Sequence, residues 1–144
     1  ARLWDTTTRQ CVATLQGHTD VVISVAFSPD GALMATGGNG FTVRLWDTTT
    51  RQCVATLLGH AGAVHSVAFS PDGALLATGS GNTARLWDTT THQCVATLQG
   101  HTSHVNSVAF SPPANALLAT GSHDSTARLW DRYAVVHPRH FLTN

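Results

Sequence analysis

A nucleophilic hydrolase needs an imidazole, a hydroxyl and a carboxylate in one place. In this sequence of 144 residues, His101, Thr120 and Asp124 come nearest to that set by residue type and spacing. The same histidine and threonine return as His18 with Thr36 and as His60 with Thr78. A catalytic set is needed once, so a set that recurs along a chain argues for structure. The acids point the same way. There are eight aspartates and no glutamate. Asp5, Asp47, Asp88 and Asp131 each follow a tryptophan, and Asp30 and Asp72 each sit in a Pro-Asp-Gly turn. Asp20 stands alone, so no spare pair of carboxylates remains for general acid–base work. Cys11, Cys53 and Cys94 all lie in the phrase Gln-Cys-Val-Ala-Thr-Leu, one per repeat. A disulfide needs Cα atoms within about 7 Å, and repeat-equivalent positions fall further apart than that. They read as small strand residues, and unpaired thiols suit a reducing cytoplasm.

The elements that must position these residues are repeated as well. Arg-Leu-Trp-Asp stands at 2–5, 44–47, 85–88 and 128–131, and Gly-His at 17–18, 59–60 and 100–101. Ser-Val-Ala-Phe-Ser-Pro stands at 24–29, 66–71 and 107–112. Successive tryptophans are 42, 41 and 43 residues apart. The charge is also patterned: eight arginines and no lysine balance the aspartates to a net charge of zero. A neutral chain gives no reason to expect a nucleic acid or an anionic membrane as partner. No apolar run reaches the roughly 18 residues that a membrane span needs. The chain begins inside a repeat, as an excerpt of a longer array would.

With Gly-His and Trp-Asp in phase at this period, the sequence resembles the WD40-repeat family over residues 1–131. The resemblance implies an all-β fold: β-propeller blades of four antiparallel strands, a to d from the axis outward. About three blades fall in this chain, so oligomerisation or a longer parent chain would complete the ring. The copies divide as a partial repeat 1–16 (strands c and d), full repeats 17–58 and 59–99, a third repeat 100–131 without a normal strand d, and a non-repeat tail 132–144. Strands are expected at 21–28, 33–37, 41–46 and 52–57, then at 63–70, 74–79, 83–87 and 93–98, then at 104–111, 116–121 and 126–130. Val22, Val25 and Phe27 are candidates for packing between blades. Asp-Gly and Asn-Gly between apolar runs are hairpin signals, because glycine accepts positive φ. In the tail, Pro138 spoils the place of the fourth strand d, and 133–136 is a candidate edge strand.

The resemblance also assigns roles. The family's buried tetrad of histidine, hydroxyl, aspartate and tryptophan maps onto His101, Thr120, Asp124 and Trp130. In the first copy Gly40 replaces the aspartate. In the second the turn is one residue shorter and reads Ser80-Gly81-Asn82. Asn39 and Asn82 are the candidate neutral substitutes. Positions three and five after the Gly-His histidine face the narrow end of the propeller, where partners dock in this family. Here they are Val21 and Ile23, Ala63 and His65, His104 and Asn106. They vary between copies while their neighbours hold. His123 is expected toward the same end. With His65 and His104 it makes three imidazoles, types that bind zinc or sense pH, but their spacing matches no ligand motif. No metal, cofactor or catalytic residue is assigned.

The implied function is a non-catalytic, cytoplasmic scaffold for protein–protein interaction through the narrow face. One alternative is a purely architectural, self-assembling module, with two copies giving six blades or three giving nine. Another is a propeller hydrolase, which would require acids or metal ligands on strand a.

Overall fold

In the computed structural model, residues 1–113 and 116–132 are described. Among them the chain forms thirteen strands in four antiparallel sheets. A two-stranded leaf pairs β1 (Arg2–Trp4) with β2 (Cys11–Thr14). Blade 1 is β3 (Val22–Phe27), β4 (Leu33–Gly38), β5 (Val43–Asp47) and β6 (Cys53–Leu57), in that spatial order. Blade 2 repeats it as β7 (Val64–Phe69), β8 (Leu75–Ser80), β9 (Thr83–Asp88) and β10 (Cys94–Leu98). Blade 3 has β11 (Val105–Phe110), β12 (Leu117–Ser122) and β13 (Ala127–Asp131). The expected strand at 133–136 lies outside the described residues.

Each hairpin turn is set by its sequence. In the Ser-Pro-Asp-Gly turn, Ser28 Oγ donates to Asp30 Oδ1 at 2.7 Å and accepts from Leu33 N at 2.9 Å. Ser70, Asp72 and Leu75 repeat this at 2.6 and 3.0 Å. The Trp-Asp carboxylates close the turn between strands c and d. Asp47 Oδ1 accepts from Thr49 N at 2.8 Å and Thr50 N at 2.9 Å. Asp5 and Asp88 do the same in their own turns. Phe41 was expected to open strand c. It instead ends the turn, exposed and at φ +66°, and the strand begins at Val43.

The blades stack through alternate faces of each sheet, so both faces are apolar. Ala35, Val43, Leu45 and Leu57 of blade 1 pack on Val64, Val67, Leu76 and Trp87 of blade 2. Ala77, Ala84, Leu86 and Leu98 of blade 2 pack on Val105, Val108 and Leu118 of blade 3. The leaf packs by Leu15 on Met34 and Trp46 of blade 1. Strand β2 is therefore not a loose strand, because its apolar side is already used. Two details hold the blades in register. A Cβ on Gly37 would lie 2.6 Å from Val64 Cγ1, and one on Gly79 would lie 2.9 Å from Val105 Cγ1. Only glycine allows that approach. Val67 N donates to Ser24 Oγ of the preceding blade at 3.2 Å, and Val108 N donates to Ser66 Oγ at 3.2 Å.

At the ends of the stack the same residue types are bare. Val67 and Val108 are each 6 % exposed, whereas Val25, their equivalent in blade 1, is 56 % exposed. Phe27 is exposed alongside it. The expectation that Val25 and Phe27 pack between blades is therefore corrected. The leaf beside blade 1 carries outer strands c and d, and no inner strands stand over them. At the other end Leu129 is 70 % exposed, while its counterparts Leu45 and Leu86 are fully buried. Among the described residues the ring is not closed.

Candidate functional site

Each blade builds one hydrogen-bonded relay from three points, and blade 3 adds a fourth. The histidine enters from the Gly-His turn, the threonine from the middle of strand b, and the tryptophan from strand c. In blade 3, Trp130 Nε1 donates to Thr120 Oγ1 at 3.0 Å, and Thr120 Oγ1 lies 2.8 Å from His101 Nε2. His101 Nδ1 lies 2.8 Å from Asp124 Oδ2, which also accepts from Thr102 N at 3.0 Å. Asp124 Oδ1 accepts from Thr126 N at 2.9 Å and from the Thr126 hydroxyl. These bonds, the Thr126 hydroxyl first, hold the Asp124 carboxyl below the usual carboxylate range. An ionised Asp124 accepts only, so His101 Nδ1 carries a proton. In the neutral ring Nε2 then takes the Thr120 hydroxyl hydrogen. Every member is satisfied by another, so the array holds the blade together.

Blades 1 and 2 keep the apolar half of this relay. Trp46 Nε1 donates to Thr36 Oγ1 at 2.9 Å, and His18 Nε2 lies 2.6 Å from the same oxygen. Trp87 Nε1 donates to Thr78 Oγ1 at 2.9 Å, and His60 Nε2 lies 2.5 Å from it. Neither Asn39 nor Asn82 reaches the histidine, so the neutral substitution expected of them is not made. The Asn82 turn is too short, and Asn39 sits one position before the replaced residue, Gly40. Burial, helped by the nearby Arg85 charge, pushes the His60 imidazole down to about 4. Burial lowers His18 as well, with smaller contributions from the Arg44 charge and the chain's amino terminus.

The sequence pairing between Gly-His and Arg-Leu-Trp-Asp has a further cause. Gly17, Gly59 and Gly100 stand at φ +156°, +139° and +152°. A Cβ there would lie 2.9, 2.7 and 2.8 Å from Nη1 of Arg44, Arg85 and Arg128. The arginine guanidinium lies where any side chain would stand. Arg44 Nη1 and Arg85 Nη1 reach Cys53 Sγ and Cys94 Sγ at 3.6 and 3.7 Å. The cysteines each open a strand d, as β2, β6 and β10 show. Cys11 and Cys53 are exposed and Cys94 is half-buried, because strand d lies at the sheet edge. Their recurrence with arginine was the available signal, and residue-type reasoning passed over it.

The variable positions are brought partly together. His65 and His104, from neighbouring blades, stand edge to face with ring centroids 5.9 Å apart, and His104 meets His123 in the same way at 5.9 Å. Asn106 and Ala63 are half-buried beside them in sequence, and Val21 and Ile23 are exposed on blade 1. Among the described residues no group of three or more histidines, cysteines or acids is arranged to hold a metal ion. Asp20 caps the entry to blade 1, accepting from Val21 N at 2.7 Å.

A family profile described as WD domain, G-beta repeat matches residues 9–47, 51–88 and 92–131. Each match runs from a strand d through strands a, b and c of the next blade, so the sequence unit bridges two sheets. A 38-residue stretch is 53% identical to the nuclear distribution protein PAC1 of Coccidioides posadasii. That stretch covers 26% of this chain and 8% of the relative.

Proposed function

The chain belongs to the WD40-repeat family, whose blades serve in general as protein-interaction scaffolds rather than catalysts, and from that premise we propose that it captures a protein or peptide partner on the narrow face of its blades. The observation that carries the reading is the row His65, His104 and His123, which crosses from blade 2 to blade 3 on positions that vary between copies. Ala63 and Asn106 accompany the row on blades 2 and 3, and Val21 and Ile23 hold the equivalent positions on blade 1. The rigid stack fixes these side chains, and loops on a rigid scaffold are where binding residues concentrate. Unpaired thiols at Cys11, Cys53 and Cys94 support a cytoplasmic setting.

A test is partner capture by the intact protein followed by substitution. Ile23→Asp, His104→Glu or Asn106→Arg should abolish capture with the fold retained by circular dichroism. Loss of capture through Asp30→Arg or Asp72→Arg instead would place the docking surface at the opposite end. A second reading, self-assembly, is favoured by the bare faces at Val25, Phe27 and Leu129. Such faces invite association. Blade 3 has strands a to c and the leaf has c and d, so joining two copies there would give six blades. Three copies would give nine.

A further inference from the structure

We propose that blade 2 carries a binding site for a carboxylate, in the place where blade 3 holds its own Asp124 side chain. In blade 3 that carboxylate is gripped by His101 Nδ1, Thr102 N and Thr126. Blade 2 retains each counterpart: His60, Ala61 and Thr83. What it lacks is the acid, because its turn between β8 and β9 is one residue shorter. The missing group leaves a cavity of about 340 Å³ open to solvent, lined by His60, Ala61, Gly81, Asn82, Thr83 and Arg85 among others.

The Thr83 hydroxyl already donates to Ser80 O at 3.3 Å, and the other donors of this cavity are left over. His60 is 8 % exposed, and its Nε2 is taken by Thr78. Thr78 Oγ1 accepts from Trp87 Nε1 and lies 2.5 Å from His60 Nε2, and we assign it the donor role there that Thr120 has toward His101 in blade 3. The ring proton then sits on Nδ1, which has no acceptor among the described residues. Ala61 N, the equivalent of Thr102 N, has none there either. Arg85 Nε is buried without a partner, and Arg85 forms no ion pair with a described carboxylate. Arg85 Nε is the buried one of these donors, as Arg44 Nε is in blade 1, while Ala61 is exposed; a charged acceptor satisfies several donors at once. The depressed His60 imidazole is neutral at pH 7 and so offers one N–H rather than a second charge.

Blade 1 also lacks the acid, and there Thr19 and Asp20 stand in ordinary contact with the place of a Gly40 side chain. Thr19 Oγ1 and Asp20 Cβ come within 3.8 and 4.0 Å of where a Gly40 Cβ would stand. The site in blade 2 rests on this local geometry and not on the partner reading above. Its ligand is a small free carboxylate or the acidic side chain of a bound peptide, which present the same two oxygens.

The test titrates the native protein with sodium acetate, with an N-acetyl-aspartyl amide, and with neutral acetamide as the isosteric control, at constant ionic strength. Either carboxylate should shift the His60 imidazole resonances, raise the pH at which they titrate, and raise the thermal midpoint by a few degrees. A response to acetate alone identifies a free small ligand, and a response to the aspartyl amide alone identifies a peptide side chain. Acetamide should do neither. Replacing Gly81 and Asn82 by a copy of residues 123–125 would supply the acid internally and abolish both responses. Absence of a shift with both carboxylates, an equal shift with acetamide, or an undiminished response in the grafted protein would overturn the assignment.

Discussion

At the scale of the residue, the relay divides into a part present in every blade and a part present in one. Trp, Thr and His are joined in all three full blades; the acid closes the chain only at Asp124. Removing it in Asp124→Ala leaves the buried His101 Nδ1–H without an acceptor, which costs about 1–3 kcal/mol. Asn39→Ala removes no side-chain bond and should be near neutral, so thermal melts of the two variants side by side check the contrast. The histidines set the response to acid. His60 titrates at about 4 in the folded chain against an ordinary 6.5. Above pH 6.5 it is neutral in both states and the full stability is present. As pH falls from 6.5 toward 4 the unfolded chain takes up the proton first, and stability drops by about 3 kcal/mol. His18 acts in the same direction. The lowered Asp124 carboxyl adds a further loss as pH falls through and below the ordinary carboxylate range. Urea unfolding at pH 7, 5.5 and 4 should show this decline, and His60→Gln should flatten its upper part.

At the scale of the element, neighbouring blades meet mainly through strand a, and strand b adds a close approach at its glycine. Gly37, Gly79 and Gly121 occupy one position of the repeat but meet different surroundings. Val64 and Val105 press on the first two, whereas the nearest atom to a Cβ at Gly121 is Ser107 Cβ, 3.9 Å away in the same blade. Gly37→Ala and Gly79→Ala overpack and cost about 1–3 kcal/mol. That exceeds the roughly 0.4–1 kcal/mol gained by stiffening the unfolded chain. Gly121→Ala should therefore be neutral or slightly stabilising. Chemical denaturation of the three variants tests the ranking. The periodicity of the sequence placed these strands to within a residue or two, because turn residues and apolar runs are local. It did not reveal the glycine contacts, which depend on what the next blade puts opposite.

At the scale of the whole molecule, the stack is finished inside and unfinished at its ends. Leu45, Leu86 and Leu129 belong to one repeated phrase, yet two are fully buried and one is 70 % exposed. An apolar face of that kind invites cover, and the self-assembly reading supplies it from a second copy. Size exclusion with light scattering should give a dimer of six blades, and a trimer would mean nine. A well-folded monomer at micromolar concentration would exclude self-assembly. In an assembled ring Gly121→Ala would also weaken association while leaving each chain folded. Joining copies through β2 brings β1 with it, because the two are paired, so β1 and β13 would compete for one strand-c place and one of them would be displaced.

The sequence by itself determined the repeat and the turns, while the pairing of Trp, Thr and His was implied by the family resemblance. The first two follow from residue type at short range: a glycine for a positive φ, an aspartate for a turn, an apolar alternation for a strand. Only the tertiary structure decided which copies of one residue are buried, because Val25 and Val67 differ in their neighbours and not in their own chemistry. It also decided that neither Asn39 nor Asn82 replaces the missing aspartate. A hydrogen bond needs its partners within about 3 Å, and a turn one residue shorter leaves a cavity there instead.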